Sequence, residues 1–570
     1  MKLERLKIGL VFFLLIWLSL IRPAKDVFCQ AVYVPINHDA YRFIERMETR
    51  HILVRVLNST KPLSRKEMAE YLLQVREKAN NGANLSRVEK DWLEFLLNEF
   101  RAEVIKIGES LPAYETRIDK IKHNKFIKKI FPGILYQNGK NFYSWCEDDV
   151  HIFFDPVYRY QVQVADSSSI VKDEVNYHFT NGFQVWGYLN KHLGFWVDFR
   201  DNKEWGSRKY KIGNYTLPGL GFVRATSPDF IYHDETQAYV KLAIKNFQFL
   251  FGKFENYWGN GISGSLIMSN YATSYDQFKF EFNHKKFKFS SIYAQLIDYH
   301  YHIEDSLQQK KYLAAHRLET TPLKWLNIGI SETVIFKGRS FEPAYLNPVM
   351  FFRSAEHYLG SPDNMMMSLD FKINTIRNLK IYGELLIDDL TTSKLGTNWF
   401  GNKYGFLCGI FFASPFQTSN VDFRLEYTRL RPYVYSHLNS LQYTHYASNL
   451  GHWIGPNSDL FTGIIKYQPT RRLVLQGSYF LHRKGENTQQ QNFGGDIETP
   501  WTVSDDLYPE FLGGNKIIKH NFGVQFSYEV LRNLFFRLNI YKEFIAIDYL
   551  EKRRKEINSL SIFSSLGINY

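Results

Sequence analysis

From about residue 150 to its end, the chain places apolar residues at every second position. Phe522, Val524, Phe526 and Tyr528 alternate with Gly523, Gln525, Ser527 and Glu529. After a break at Leu531-Arg532-Asn533, the pattern resumes with Leu534, Phe536, Leu538 and Ile540. The same unit recurs as Leu369, Phe371 and Ile373, then Arg377-Asn378, then Leu379 to Leu386. It recurs again as Phe461 to Tyr467, Pro469-Thr470-Arg471, then Leu473 to Tyr479; Val240, Leu242 and Ile244 belong to another copy. Successive side chains of a strand point to opposite faces, so a period of two gives one apolar face and one of Lys, Gln, Ser, Asn and Tyr. About 18 such strands fit into roughly 420 residues with no helical interruption, too many for one soluble sandwich.

Short turns alternate with long loops at 338–364, 429–460 and 483–519. Outer-membrane barrels are built that way, and closure leaves no sheet edge facing lipid. Aromatics are 17% of the chain, which excludes disorder, and many lie near strand ends where a membrane interface needs them. Leu560, Ile562, Leu566, Ile568 and the final Tyr570 share one parity. Such an ending resembles the C-terminal assembly signal of bacterial outer-membrane proteins. The expectation is an all-β transmembrane barrel of about 18 antiparallel strands at 150–570, behind a small N-terminal α-helical domain.

Residues 1–29 read as a signal peptide. Lys2, Arg5 and Lys7 precede the apolar run Ile8 to Ile21, and cleavage after Cys29 is expected. The run is shorter than the roughly 20 residues a membrane-spanning helix needs, which disfavours a retained anchor. A helical domain is expected at 30–110. Ser64 with Glu67, and Ser86 with Glu89, have capping-box spacing. Met68, Leu72 and Val75 follow the first, Trp92, Phe95, Leu96 and Phe100 the second, and His38 to Leu57 is expected to be helical too. A connector at 111–149 gathers Lys120, Lys122, Lys125, Lys128 and Lys129. That run suits a solvated helix face, or contact with anionic headgroups or an acidic glycan.

Motifs for catalysis are missing. Gly259-Asn260-Gly261-Ile262-Ser263-Gly264 fits the dinucleotide pattern G-x-G-x-x-G, but no helical stripe follows it. Asp298, His300 and His302 would share one side of a strand, yet lack a clear fourth metal ligand. No carboxylate pair stands out as acid and base. The chain reads as no enzyme, with no cofactor and no metal. A formal charge of +12 without a long Arg/Lys block argues against nucleic acid. The three Cys offer no disulfide framework.

The segment GKFENYWGNGISGSLIMSNYATSYDQFKFEF (252–282) resembles the Wzi-type capsule-assembly outer-membrane family. There a W-G-x-G segment runs into G-S-L and a Ser/Asn-rich stretch, which places Trp258, Gly259, Gly261, Gly264 and Ser265 in the motif. Asn260 stands where the family pattern has Pro. The blocks 316–352, SPDNMMMSLDF (361–371) and LGHWIGPNSDLF (450–461), with the helical start, are similar to its Bacteroidetes-like members. The resemblance implies an 18-stranded barrel, a periplasmic helical bundle, and a role in holding or assembling capsular polysaccharide. It implies capsular or exopolysaccharide and outer-membrane lipids as partners, and capsule-export machinery as a further one. The residues themselves support polar loops rich in aromatics. Tyr433, Tyr435, His437, Tyr443, Trp453 and Asn457 offer ring faces and hydrogen-bonding groups suited to sugars; an interfacial girdle with loop packing explains them equally well. The alternative function is a channel for oligosaccharides or other small solutes. A hydrolase is disfavoured by the missing acid/base pair.

Overall fold

The computed structural model describes residues 32–111, 136, 138–167, 171–298, 309–415, 418–550 and 553–569. The expected signal peptide, the lysine run of the connector, His300, His302 and Tyr570 lie outside the described residues.

Eighteen antiparallel strands close into a barrel, from Val150–Ser167 to Arg554–Ile568. Closure comes from the last strand pairing with the first, with Ile568 opposite Tyr158 and Leu560 opposite Asp166. The sequence periodicity explains the wall. Phe251, Phe278 and Val524 face outward and are 65%, 54% and 62% exposed. Residues of the other parity, such as Lys241, Lys279, Arg317 and Asp370, face the lumen and are buried. At one end the strands are joined by turns such as Lys245-Asn246, Arg377-Asn378 and Arg532-Asn533. Asn378 and Asn533 take the corners at φ 69° and 58°, a region Asn tolerates better than most residues. The long connections 337–363, 431–457 and 487–514 all lie at the opposite end.

Among the described residues, four helices precede the wall: α1 (Ala40–Thr49), α2 (Arg65–Asn80), α3 (Arg87–Glu99) and α4 (Arg101–Lys106). Both capping boxes form. Ser64 Oγ accepts from Glu67 N at 3.2 Å while the Glu67 carboxylate accepts from Ser64 N at 2.8 Å, and Ser86 with Glu89 repeats the arrangement. Met68, Leu72, Val75, Trp92 and Leu96 form one core with Phe43 and Met47 of α1. The helix expected through Leu57 stops at Thr49. Barrel residues take carbonyls at its end and beyond it: Asn378 N donates to Thr49 O at 2.8 Å, and Lys372 Nζ and Asn327 Nδ2 donate to Val56 O at 3.0 and 3.3 Å. The chain leaves the helix there and runs into the barrel.

The helices thus cap the short-turn end. Arg46 pairs with Asp422 and donates to Ser414 Oγ at 2.6 Å, Ser86 donates to Asn420 at 2.7 Å, and Arg532 pairs with Glu99. Thr60 and Lys61 reach further and pair as a short strand with Trp258 and Tyr257.

Candidate functional site

The barrel interior is built by chain entering from both ends. From the long-loop end, residues 255–274 fold inward after the strand Phe247–Phe254. Residues 431–457 fold inward beside them. Trp258, Leu266, Met268, Val434, Tyr435, Tyr443 and Leu450 pack with wall residues such as Ile292, Leu313, Ile335 and Leu407 into one buried apolar core. This core occupies the lumen along the wall from the strand Phe287–Ile297 to Ser458–Thr470.

Two carboxylates of the wall organise the Trp258–Leu266 segment. Glu384 accepts from the backbone N–H of Asn260, Gly261 and Leu266 at 2.9, 3.2 and 2.9 Å, and from Ser265 Oγ at 3.2 Å. Glu426 accepts from Ile262 N and Ser263 N at 2.8 and 2.9 Å, and from the Tyr382 hydroxyl at 2.8 Å. Concentrated N–H donors of this kind are what a buried carboxylate requires. The glycines make the wrap possible. A Cβ on Gly259 would stand 2.0 Å from Glu384 Oε1, and one on Gly261 would stand 2.1 Å from Gly264 O. Asn260 also bonds Asp370 Oδ1 through its side chain at 3.2 Å. Proline here would offer Glu384 no N–H. Beside this segment Arg317 grips Asp370 with two bonds of 2.6 and 3.0 Å, and bonds Thr60 at 2.8 Å.

The six loop residues with sugar-binding character separate into two groups. Tyr433, Tyr435, Tyr443 and Asn457 are fully buried. Tyr435 donates to Leu266 O at 2.5 Å, Tyr443 to Ile267 O at 2.7 Å, and Asn457 to Gly485 O at 3.0 Å. Tyr435 and Tyr443 hold the two inward segments together, while Tyr433 and Asn457 tie the second of them to Asn492, Gly485 and Gly513; with all four fully buried, no ring face is left for a sugar. Trp453 and His437 remain accessible. Trp453 is 38% exposed, with its indole N–H on Ser263 O at 2.8 Å and its ring edge-on to His482. His437 is half-buried. Sequence reasoning missed Glu384, Glu426 and Arg317. Their inward parity was readable, but a lumenal charge and its loop partner are joined only by closure of the barrel.

A second set of aromatics is displayed on the long loops. Phe400 stacks on Trp501 at 3.8 Å, and Trp399 meets Tyr508, which is 42% exposed, at 5.7 Å. Nearby, Arg429 lies 3.7 Å over the Phe511 ring.

Away from the apolar core, a cavity of about 800 Å³ lies between the helices, the Gly259–Ile262 segment and the inner wall. Gln476, Gln525, Ser527 and Arg537 are among its wall residues, and its basic side chains outnumber its acidic ones. Asp298 is occupied by Lys337 Nζ at 2.7 Å. Among the described residues, His178, Glu204 and His233 have metal-ligand proximity. Arg159 donates to Nδ1 of His178 at 2.8 Å, and the other ring nitrogen bonds Asn202 at 3.0 Å. A guanidinium therefore sits at the lone pair that a metal would use. Cys146 and Cys408 are free.

The sequence profile of the capsule assembly protein Wzi family matches residues 136–556. Wzi of Escherichia coli is described as an outer membrane protein involved in group 1 capsule assembly and a carbohydrate-binding β-barrel. It superposes with a TM-score of 0.52 at 14% identity, over 94% of this chain and 99% of that one, which shows a common fold. OccAB2 of Acinetobacter baumannii (TM-score 0.42, 10% identity, 73% and 97% of the two chains) and OprD of Pseudomonas aeruginosa (0.38, 9%, 72% and 94%) are looser resemblances. No curated protein sequence matches the chain. The profile takes in the wall, the inward Trp258–Leu266 segment and the long loops together, and the chain belongs to the Wzi capsule assembly family.

Proposed function

We propose that this protein is a non-enzymatic outer-membrane barrel that binds capsular or surface polysaccharide at its long-loop end and helps assemble or anchor the capsule. The helical domain lies in the periplasm and the long loops lie outside, because short turns belong to the periplasmic side of such barrels. One observation carries the reading. The loops that line the mouth of a pore are here folded into the lumen as a packed apolar core, while Trp453 and the Trp399, Phe400, Trp501 and Tyr508 cluster stay at the loop surface. Family membership supports it, as does the carbohydrate binding described for the Escherichia coli relative.

Aromatic faces stack on sugar rings, and His437 and Trp453 lie at the accessible edge of the inward loops. Tyr433, Tyr435, Tyr443 and Asn457 hold that edge in place from beneath.

Purified barrel should bind capsular polysaccharide in calorimetry and pass no steady ionic current in planar bilayers. Trp453→Ala should weaken binding, by roughly tenfold if the ring contributes about 1.4 kcal/mol of stacking. A large stable conductance without measurable glycan binding would favour the channel reading instead.

A further inference from the structure

The long connection 337–363 does not enter the lumen. It folds down over the outside of the wall. By strand parity, Ala314, Val334 and Phe336 point away from the lumen, as Leu318 and Ile330 do, yet all three are 0% exposed. The helices Pro343–Leu346 and Phe352–Tyr358 cover them, with Tyr345, Phe352 and Ala355 completing an apolar cluster outside the barrel. Phe352 N donates to Glu332 at 3.0 Å, and the Phe352 ring lies 4.1 Å from that of His316. Tyr293, on the outer face of a neighbouring strand, accepts from Glu342 N at 3.1 Å. The flap therefore covers a polar pair, His316 and Glu332, on a surface where lipid would otherwise meet it.

The flap's own outer surface carries exposed apolar side chains, with Arg353 and His357 exposed among them. Tyr358 is 89% exposed, Val349 87%, Phe341 68% and Phe351 50%. An exposed patch of this kind needs an occupant. Wall register identifies it. Leu318, Ile330 and Leu369 stand opposite one another across three strands and are exposed to the membrane side. The next row toward the long-loop end is His316, Glu332 and Met367, and the flap begins there. The apolar face of the flap is continuous with the lipid-facing band and lies at its outer edge.

We infer that the 337–363 flap is a lipid-contacting element, with Phe341, Val349, Phe351 and Tyr358 seated among acyl chains at the interface of the outer leaflet. The inference rests on the outer-membrane placement above.

Spin labels test it on the full chain, with Cys29, Cys146 and Cys408 replaced by serine, in phosphatidylcholine–phosphatidylglycerol vesicles. Single labels are placed through Val349→Cys, Tyr358→Cys, Phe251→Cys on the wall and Val503→Cys on another long loop. Heat-modifiability confirms that each variant is folded. Collision with oxygen should exceed collision with a water-soluble nickel chelate several-fold at 349 and 358, as at 251, and the ratio should invert at 503. Nickel accessibility at 349 and 358 equal to that at 503, with 251 still lipid-exposed, would overturn the flap inference alone. Low accessibility to both reagents at 349 and 358 would mean a protein occupant, such as a second copy, and would also overturn it. Water exposure at 251 would remove the membrane placement and the inference with it.

Discussion

Glu45 of α1 meets Arg424 of the barrel wall at 2.7 Å inside the lumen, and Lys380 of the adjoining region of wall pairs with the same carboxylate. Burial raises the pKa of Glu45, but the two cations outweigh it and hold the carboxyl well below the usual range. A depressed carboxyl pKa stabilises docking fully above the free-carboxylate value of about 4.3, and the contribution is lost as pH falls below it. Glu45→Ala should therefore loosen the helical cap at neutral pH. The expected loss is on the order of 2 kcal/mol, less than for a fully buried pair because Glu45 keeps 21% of its side chain exposed. Amide exchange of residues 40–49 should speed up in the variant. In the parent protein it should show no Glu45-dependent change between pH 7 and 5.5.

Glu384 is the acceptor around which the family motif is folded. Glu384→Ala leaves the N–H groups of Asn260, Gly261 and Leu266 without their acceptor in a buried site. A buried unsatisfied donor costs about 1–3 kcal/mol, so the loss should be about 3 kcal/mol or more. Glu384→Gln keeps one acceptor oxygen and should lose less. Thermal unfolding of the two variants in detergent checks the order. An unchanged midpoint for the alanine variant would show that the segment does not depend on this carboxylate.

Gly261→Val tests the same segment by shape. The new Cβ would start 2.1 Å from a backbone oxygen, which no rotamer can relieve. The heat-modifiable, folded fraction in outer membranes should fall while total protein is still made. Normal assembly with lost glycan binding would instead make the segment a ligand contact.

The wall was readable from the sequence because its cause is local. Val524 and Gln525 face opposite ways from backbone geometry alone, and that needs no partner. The capping boxes at Ser64 and Ser86 are local in the same sense. The interior was not readable in this way. Tyr435 and Tyr443 look like sugar-stacking residues until the Leu266 and Ile267 carbonyls, 169 and 176 positions earlier, are brought to their hydroxyls. Outward-facing His316 likewise looks misplaced on a membrane wall until Phe352 is found covering it. In each case the deciding partner is distant in sequence and enters from a loop whose path has no periodicity.

The inward 431–457 segment should be sensitive to acid in a range where Glu45 is silent. His445 and His452 are 2% and 0% exposed, and burial pulls each down to about 3. Lys253 and Lys311 push His445 in the same direction, and His482 does so for His452. His452 bonds Ser263 Oγ at 3.1 Å, so its neutral ring joins the two inward segments. A free imidazole titrates near 6.5, so opening the segment takes up protons that the folded form excludes. The stabilisation is complete above about pH 6.5 and is lost progressively as pH falls toward 3. Each ring contributes at most about 1.4 kcal/mol per pH unit, so the opening free energy should be lower at pH 5 than at pH 7. Amide exchange across 431–457 should reveal it, with wall strands such as Asn515–Leu531 unchanged over the same interval. His452→Gln should remove about half of the slope, because glutamine keeps hydrogen-bonding capacity without titrating. Exchange that stays flat between pH 7 and 5 in the parent protein would mean that both rings are already reached by water, and the packed interior described above would have to be looser than its burial indicates.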